Sequence, residues 1–358
     1  LENQYEAPRN ESEWQLAQIW QELLGVERIG VHDNFFELGG DSILSIQLVS
    51  RALRAGFNLQ PKDIFTHQTI ALLSSELLNR TNTKSNWEQH QLTGESGLLP
   101  AQHWYLNKLN GKSARLNQSV LVKISKSVSK SHLAQCIDLL YQQHDALNLK
   151  FEYSNGIWKQ HFSPQPNELE IQKIENWSQL NEITESAHAS INPELGRCSK
   201  IVLIETPENE AENRLLMVMH HLITDGVSWR ILLEDVEQLL EQVTNGKAFN
   251  LPSKTTSIRQ WHELLTNYGK SKAYHQLKYW EKVQSLASNL NTDFDYSPQL
   301  RSIDIHQEIL QLSANATSQL LKEVQKRYHA DINDILLAAF SQTINNWQQT
   351  QSFTIALE

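Results

Sequence analysis

Apolar residues recur along this chain with more than one period, and each period predicts an element. In "ESEWQLAQIWQELLG", Trp14, Ala17, Trp20, Leu23 and Leu24 share one helical face, and Gly25 supplies the stop. The loop "VERIGVHDNFFELGGDS" follows. A second helix is predicted from about Ser42, carrying Leu44, Leu48, Ala52 and Leu53 and ending near Gly56, and a third over "TIALLSSELLN", closing around Leu78. From Asn79 to Ser96, "NRTNTKSNWEQHQLTGES" has no period and almost nothing to bury, which reads as a linker.

Beyond Gly97 helical and strand patterns alternate. "SHLAQCIDLLYQQHDAL" is an amphipathic helix, whereas "SKIVLIET" and "RLLMVMHH" are unbroken apolar runs suited to strands covered on both faces. "VSWRILLEDVEQLLEQV" brings Trp229, Leu232, Val236, Leu239, Leu240 and Val243 onto one face, so a helix follows closely on the paired histidines, His220 and His221. A last helix over "INDILLAAFSQTINNWQ" leads into "SFTIALE", expected as a short strand on which the sequence stops. The expected organisation is a small all-α unit at 1–78, a linker at 79–96 and an α/β unit at 97–358 that is incomplete at its C-terminus.

Composition agrees with more than one globular unit: 358 residues, 40% of them hydrophobic, exceed one ordinary compact domain. The net charge of −10 and the lack of any basic stripe argue against nucleic acid as a partner. The opening "LENQYEAPRNESEW" lacks the basic start and apolar core of a signal peptide, and no apolar window approaches membrane-spanning length, so a cytoplasmic address is expected. Cys136 and Cys198 sit in no spaced metal or redox motif and read as structural thiols. No metal-ligand spacing, phosphate-cradling glycine loop or nucleotide fingerprint occurs.

Two stretches remain that carry chemistry. In "FFELGGDSILSIQL", Ser42 falls at a helix start behind two glycines and Asp41. From that junction alone the serine reads as a helix N-cap, although a phosphodiester on it would lie near the positive helix end. The longer stretch "DNFFELGGDSILSIQLVSRA" resembles the peptidyl carrier domains of nonribosomal peptide synthetases, over about residues 5 to 79. The resemblance implies a three- or four-helix bundle. It also implies a 4′-phosphopantetheine arm on Ser42 whose thiol holds an aminoacyl or peptidyl thioester. Within that family, Asp before the serine, as in Gly39-Gly40-Asp41-Ser42, is typical of carriers followed by an epimerization domain.

The second stretch is "MVMHHLITDGVSWRIL". Histidines at a strand end are often structural, and successive strand residues point to opposite faces, so His220 and His221 cannot both look into one cavity. The run from His220 to Gly226 resembles the HHxxxDG signature of the condensation-domain superfamily, whose fold is two chloramphenicol-acetyltransferase-like lobes around a tunnel. The continuation "VSWRIL" resembles the epimerization branch. So do "LLPAQHWYL", with Ala101 and Tyr105 as departures, "LPSKTTSIRQW" and "NDILLAAF". The chain is thus expected to be multi-domain: a small all-α carrier bundle followed by an α/β lobe and the start of a second lobe.

By the resemblance His221 is the catalytic histidine, His220 a buried support, and Asp225 a structural residue holding the loop by an ion pair, with Lys200 as its expected partner. Gly226 is expected to serve backbone conformation, and Trp229 to pack or to line the tunnel. Glu358 matches the first residue of the family's second catalytic stretch; position alone would make it a solvated strand end. Epimerizing an α-carbon needs proton-transfer groups near both faces, helped by a thioester carbonyl that delocalises the carbanion. The implied partners are an upstream adenylation domain, a phosphopantetheinyl transferase, a downstream condensation domain, and the carrier docking on its own epimerization domain. The competing readings are a condensation domain joining two carrier-bound substrates, and an inactive docking platform.

Overall fold

A computed structural model describes residues 5–79, 87–108, 116–164, 169–286, 290–291, 306–328, 330, 332–349, 353–355 and 357. These divide into two compact units, one of Leu1–Phe35 with Gly40–Asn267, the other of Phe36–Gly39 with Tyr268–Glu358.

The first unit begins with helices α1 (Glu11–Leu24), α2 (Ser42–Arg54), α3 (Pro61–Thr66) and α4 (Ile70–Asn79). Helix α1 starts because the Asn10 side chain accepts the Glu13 amide, and it stops because Gly25 takes a left-handed conformation, φ 64°. Its apolar stripe buries Leu16, Ala17 and Trp20, and Trp20 meets Phe35 edge to face at 4.9 Å between ring centroids. Leu48 and Ala52 of α2, Ile64 of α3, and Ile70 and Leu73 of α4 are buried as well. The apolar pattern does not announce α3: six residues opened by Pro61 are too few to display a period.

The larger part of this unit is α/β. Strand β1 (Gly94–Ser96), helix α5 (Pro100–Lys108), β2 (Asn117–Ser125), α6 (Lys130–Gln143), β3 (Leu149–Ser154), β4 (Ile157–Phe162), β5 (Glu170–Lys173), α7 (Leu180–Ser190), β6 (Ser199–Glu205), β7 (Glu212–His220), α8 (Gly226–Thr244) and α9 (Ile258–Lys270) follow in order. Strands β2, β7, β6 and β5 form one sheet in that order, antiparallel except for the parallel β5 and β6 pair; β1, β4 and β3 form a second, antiparallel sheet.

The apolar run of β7 is explained by two-sided burial. Leu215, Met217 and Met219 join a core with Leu133, Ile137 and Leu140 of α6 and Trp229, Leu232 and Val236 of α8. Leu216 and Val218 fall in a separate core with Val202, Ile204 and Ala187 of α7.

Within the segment expected as a linker, the described residues 87–96 carry contacts of their own. Leu92 is fully buried, β1 pairs with β4, and Glu88 is engaged by Arg259 and Ser257. Its polar letters serve backbone pairing and ion pairs, which leave no apolar period to read.

In the second unit, α10 (Leu277–Ser285), α11 (Ala314–Ser318), α12 (Gln325–Tyr328) and α13 (Ile332–Gln348) are helical, with a wider π-type turn at Gln319–Val324. Phe340 and Phe353 meet edge to face, and Gln348 exchanges hydrogen bonds with the Asn291 backbone. The strand expected over "SFTIALE" is not found at its described residues, 353–355 and 357. No described helix is long and apolar enough to cross a membrane.

Candidate active site and carrier serine

Strand β7 delivers the histidine pair, and its neighbours anchor the pair from both sides: the His220 amide donates to the Cys198 carbonyl and the His221 amide to the Leu116 carbonyl, each at 2.8 Å. The side chains then part company. His220 is 2% exposed, its ring meets Tyr105 edge to face, and its Nδ1 accepts the Leu222 amide at 3.1 Å. An amide can only donate, so Nδ1 of His220 is the unprotonated nitrogen.

His221 is half-buried in the turn beyond the strand and has the opposite arrangement. Its Nδ1 lies 2.7 Å from the Thr224 carbonyl. A carbonyl only accepts, so Nδ1 carries the proton and, in the neutral ring, Nε2 presents a free lone pair. Nε2 has no partner among the described residues, which leaves it able to take or return a proton. Thr224 carries no signal in the sequence because its main-chain oxygen does the work.

Asp225 ends the turn in an extended conformation and caps α8: its Oδ1 accepts both the Ser228 amide and the Ser228 hydroxyl, each at 2.7 Å. The expected ion pair with Lys200 is not formed; Lys200 pairs instead with Glu170 on the adjacent strand, at 2.5 Å. A helix start that needs its amides satisfied recruits the aspartate as acceptor, and the Asp-x-x-Ser spacing is the signal for it.

The backbone role expected of Gly226 is not found. Its backbone lies outside the positive-φ region and a Cβ there would meet nothing within 4 Å, so neither conformation nor packing demands glycine. Trp229 lies in the core, and its indole Nε1 donates to Gln118 on β2 at 2.9 Å, a polar anchor that the sequence does not signal. Glu358 lies outside the described residues.

The loop before α2 turns on two glycines for different reasons. Gly39 has φ 103°, and a Cβ on Gly40 would collide with the Phe35 ring. The N-cap of α2 is Asp41, whose Oδ1 accepts the Ile43 and Leu44 amides at 2.8 Å. Ser42 is therefore the first helical residue and not the cap. It is exposed, and its hydroxyl has no hydrogen-bond partner among the described residues. A solvent-facing, unengaged hydroxyl fits attachment of a phosphopantetheine arm. The two amides that a phosphodiester would otherwise meet are taken by Asp41.

The thiols are inert by position: burial pushes Cys136 up to about 11 and Cys198 up to about 12, and Cys198 Sγ donates to the Leu149 carbonyl.

Known families match both regions of the chain. The family model described as "Phosphopantetheine attachment site" matches residues 14–77, and the one described as "Condensation domain" matches residues 93–358. A linear gramicidin synthase of Brevibacillus parabrevis is 38% identical over all of this chain, and gramicidin S synthase 1 of Brevibacillus brevis 34% over 99% of it. The chain spans 7% of the first and 32% of the second.

Among solved structures, the epimerization domain from the third module of tyrocidine synthetase B is similar with TM-score 0.65 and 26% identity, over 75% of this chain and 61% of that one. The condensation domain of a Monacolin K polyketide synthase shares the fold, with TM-score 0.58 and 15% identity over 73% and 61%. The two matched regions, a helical bundle followed by an α/β lobe with the His-His turn, place this chain in the condensation-domain family of nonribosomal peptide synthetases, with a phosphopantetheine carrier domain attached.

Proposed function

We propose that this chain is a carrier and epimerization didomain, in which a thioester-bound L-aminoacyl or L-peptidyl group on the carrier is converted to a mixture of L and D forms. The carrier is read as ending near Leu78, and the epimerization domain as running on to Glu358. The observation that carries the reading is the free Nε2 of His221, fixed by the Thr224 carbonyl, in a chain whose "GGDS" and "SWR" stretches resemble the epimerization branch. The similarity to the solved epimerization domain supports it; the condensation-domain likeness, at 15% identity, supports the fold alone.

When bound, the 4′-phosphopantetheine on Ser42 supplies the thiol whose thioester acidifies the α-hydrogen. His221 Nε2 is positioned to accept or return the α-proton on one face, and Glu358, assigned by resemblance to the family's second stretch, serves the other. His220 supports the turn, Asp225 caps the helix behind it, and Trp229 braces that helix on Gln118. An adenylation domain upstream, a phosphopantetheinyl transferase and a downstream condensation domain are the partners this function requires, and the cytoplasm is the compartment proposed.

The test is to load the chain with an L-aminoacyl pantetheine in heavy water. The reading expects deuterium at the α-carbon and D product after thioester hydrolysis. Amide formation with a second loaded carrier, without exchange, would identify a condensation domain instead.

A further inference from the structure

The last turn of α2 and the middle of α8 meet through charge. Arg54 Nη2 donates to Asp235 Oδ1 at 2.6 Å and lies 3.4 Å from Glu234 Oε2; Arg51 Nε lies 3.5 Å from Glu234 Oε1. Asp235 is 3% exposed, and its other oxygen, Oδ2, lies 2.7 Å from Nε2 of His144, the C-cap of α6. Arg51 also reaches Glu22 of α1 at 3.3 Å, so one carrier arginine ties the bundle to itself while reaching the lobe.

An acid buried on a lobe helix costs desolvation unless both oxygens are engaged. Here the lobe's own residues engage one oxygen, through His144, and the other is completed by Arg54 of the carrier. Without the carrier, Asp235 keeps half of its partners.

We infer that Asp235 and Glu234 form the lobe's docking socket for its own carrier, with Arg54 and Arg51 as the plug. This rests on reading the N-terminal helices as the carrier. The dock is suited to release and return. The Arg54 Nε and Glu234 Oε2 atoms are buried with no hydrogen-bond partner, so the contact is incompletely satisfied. A tethered partner needs only weak affinity, because the connecting segment keeps its local concentration high. The dock also grips the far end of α2 from the arm. Ser42 stands about 18 Å along the helix axis from Arg54, at 1.5 Å per residue, and remains exposed. Docking at this socket therefore leaves Ser42 open to the transferase.

The experiment uses the whole chain. A fluorescent pantetheine is placed on Ser42 by a phosphopantetheinyl transferase, and an acceptor dye on Glu237→Cys, the buried native thiols Cys136 and Cys198 being protected by position. Single-molecule energy transfer then reports docked and undocked populations. The inference expects a docked population that falls about tenfold relative to undocked in Arg54→Gln, the scale of losing one charged hydrogen bond. Glu234→Gln should shift it in the same direction from the lobe side, which covers a folding defect in either single variant.

A docked population unchanged in both variants, or absent in the parent chain, overturns the socket. Failure of Ser42 to accept the fluorescent arm would instead overturn the carrier reading. Loss of α-hydrogen exchange with the dock intact would count against epimerization alone.

Discussion

The Nδ1 of His221 donates to the carbonyl of Thr224, three residues on, at 2.7 Å. The bond closes the turn and fixes which ring nitrogen is free, so a side chain and a main-chain oxygen together define the nitrogen that the proposed proton-transfer group presents. His221→Ala should therefore lower α-hydrogen exchange by roughly 10²- to 10⁴-fold, the usual worth of general acid-base catalysis, with little change in melting temperature because the ring is half-exposed. Deuterium incorporation by mass spectrometry checks the first and a thermal melt the second. Full exchange activity would remove His221 from the mechanism.

His220 should give the inverse result. It is buried against Tyr105 and accepts the Leu222 amide, so His220→Ala orphans that amide, which alone costs about 1–3 kcal/mol. Denaturant titration should show the loss of stability. An unchanged midpoint would mean that the ring supports nothing.

At the start of α2, the cap, Asp41, and the proposed attachment residue, Ser42, are separate. Ser42→Ala should abolish the mass gain on incubation with coenzyme A and a transferase, yet leave stability within about 0.5 kcal/mol, as for a surface change. Asp41→Ala should cost about 1 kcal/mol, because it removes the acceptor for the Ile43 and Leu44 amides. Equal destabilisation by the two would return the cap to the serine.

The histidine turn offers a similar contrast. Asp225→Ala should cost about 1 kcal/mol through lost capping of α8, while Lys200→Gln should cost no more than about 1 kcal/mol, the scale of a partly exposed ion pair with Glu170. A double-mutant cycle between Asp225 and Lys200 should give no coupling beyond about 0.5 kcal/mol. Strong coupling would restore the ion pair that the turn geometry argues against.

How far the letters alone reach depends on whether a residue acts through its side chain's periodicity. Helices α1 and α8 lie within a residue or two of their apolar patterns, and β6 and β7 are the two continuous apolar runs, because long elements with a buried face write their period into the sequence. Helix α3 and strand β1 are too short to do so, and Leu92 is one buried residue in a polar stretch. In the site, Ser42 and His221 are legible as letters. The Thr224 carbonyl is not, because every residue has one, and neither is the Gln118 anchor, which becomes adjacent to Trp229 only when β2 pairs beside β7. Asp225 is legible as important but not in its role: three residues ahead of Ser228, it is a cap acceptor before it is an ion-pair partner.

A last prediction concerns acid stability of the N-terminal helices. Glu13 is 2% exposed and receives the Arg9 guanidinium on both oxygens, Nη2 at 2.6 Å and Nε at 3.1 Å, as well as the Arg9 amide at 2.8 Å. The Arg9 hydrogen bond, first among the causes, holds its carboxyl below the usual range against the opposing effect of burial. A folded-state value below the unfolded one gives stability that is fully present above the unfolded value, about 4.3, and lost as pH falls through the depressed folded value. Glu13→Gln keeps the shape and removes the charge, so it should be less stable than the parent chain at neutral pH, with a gap that holds down to about pH 5 and closes as the parent's carboxyl takes up its proton. Thermal melts of both proteins from pH 7 to pH 3 measure that gap directly, and a gap that widened on acidification would place the ion pair's contribution elsewhere.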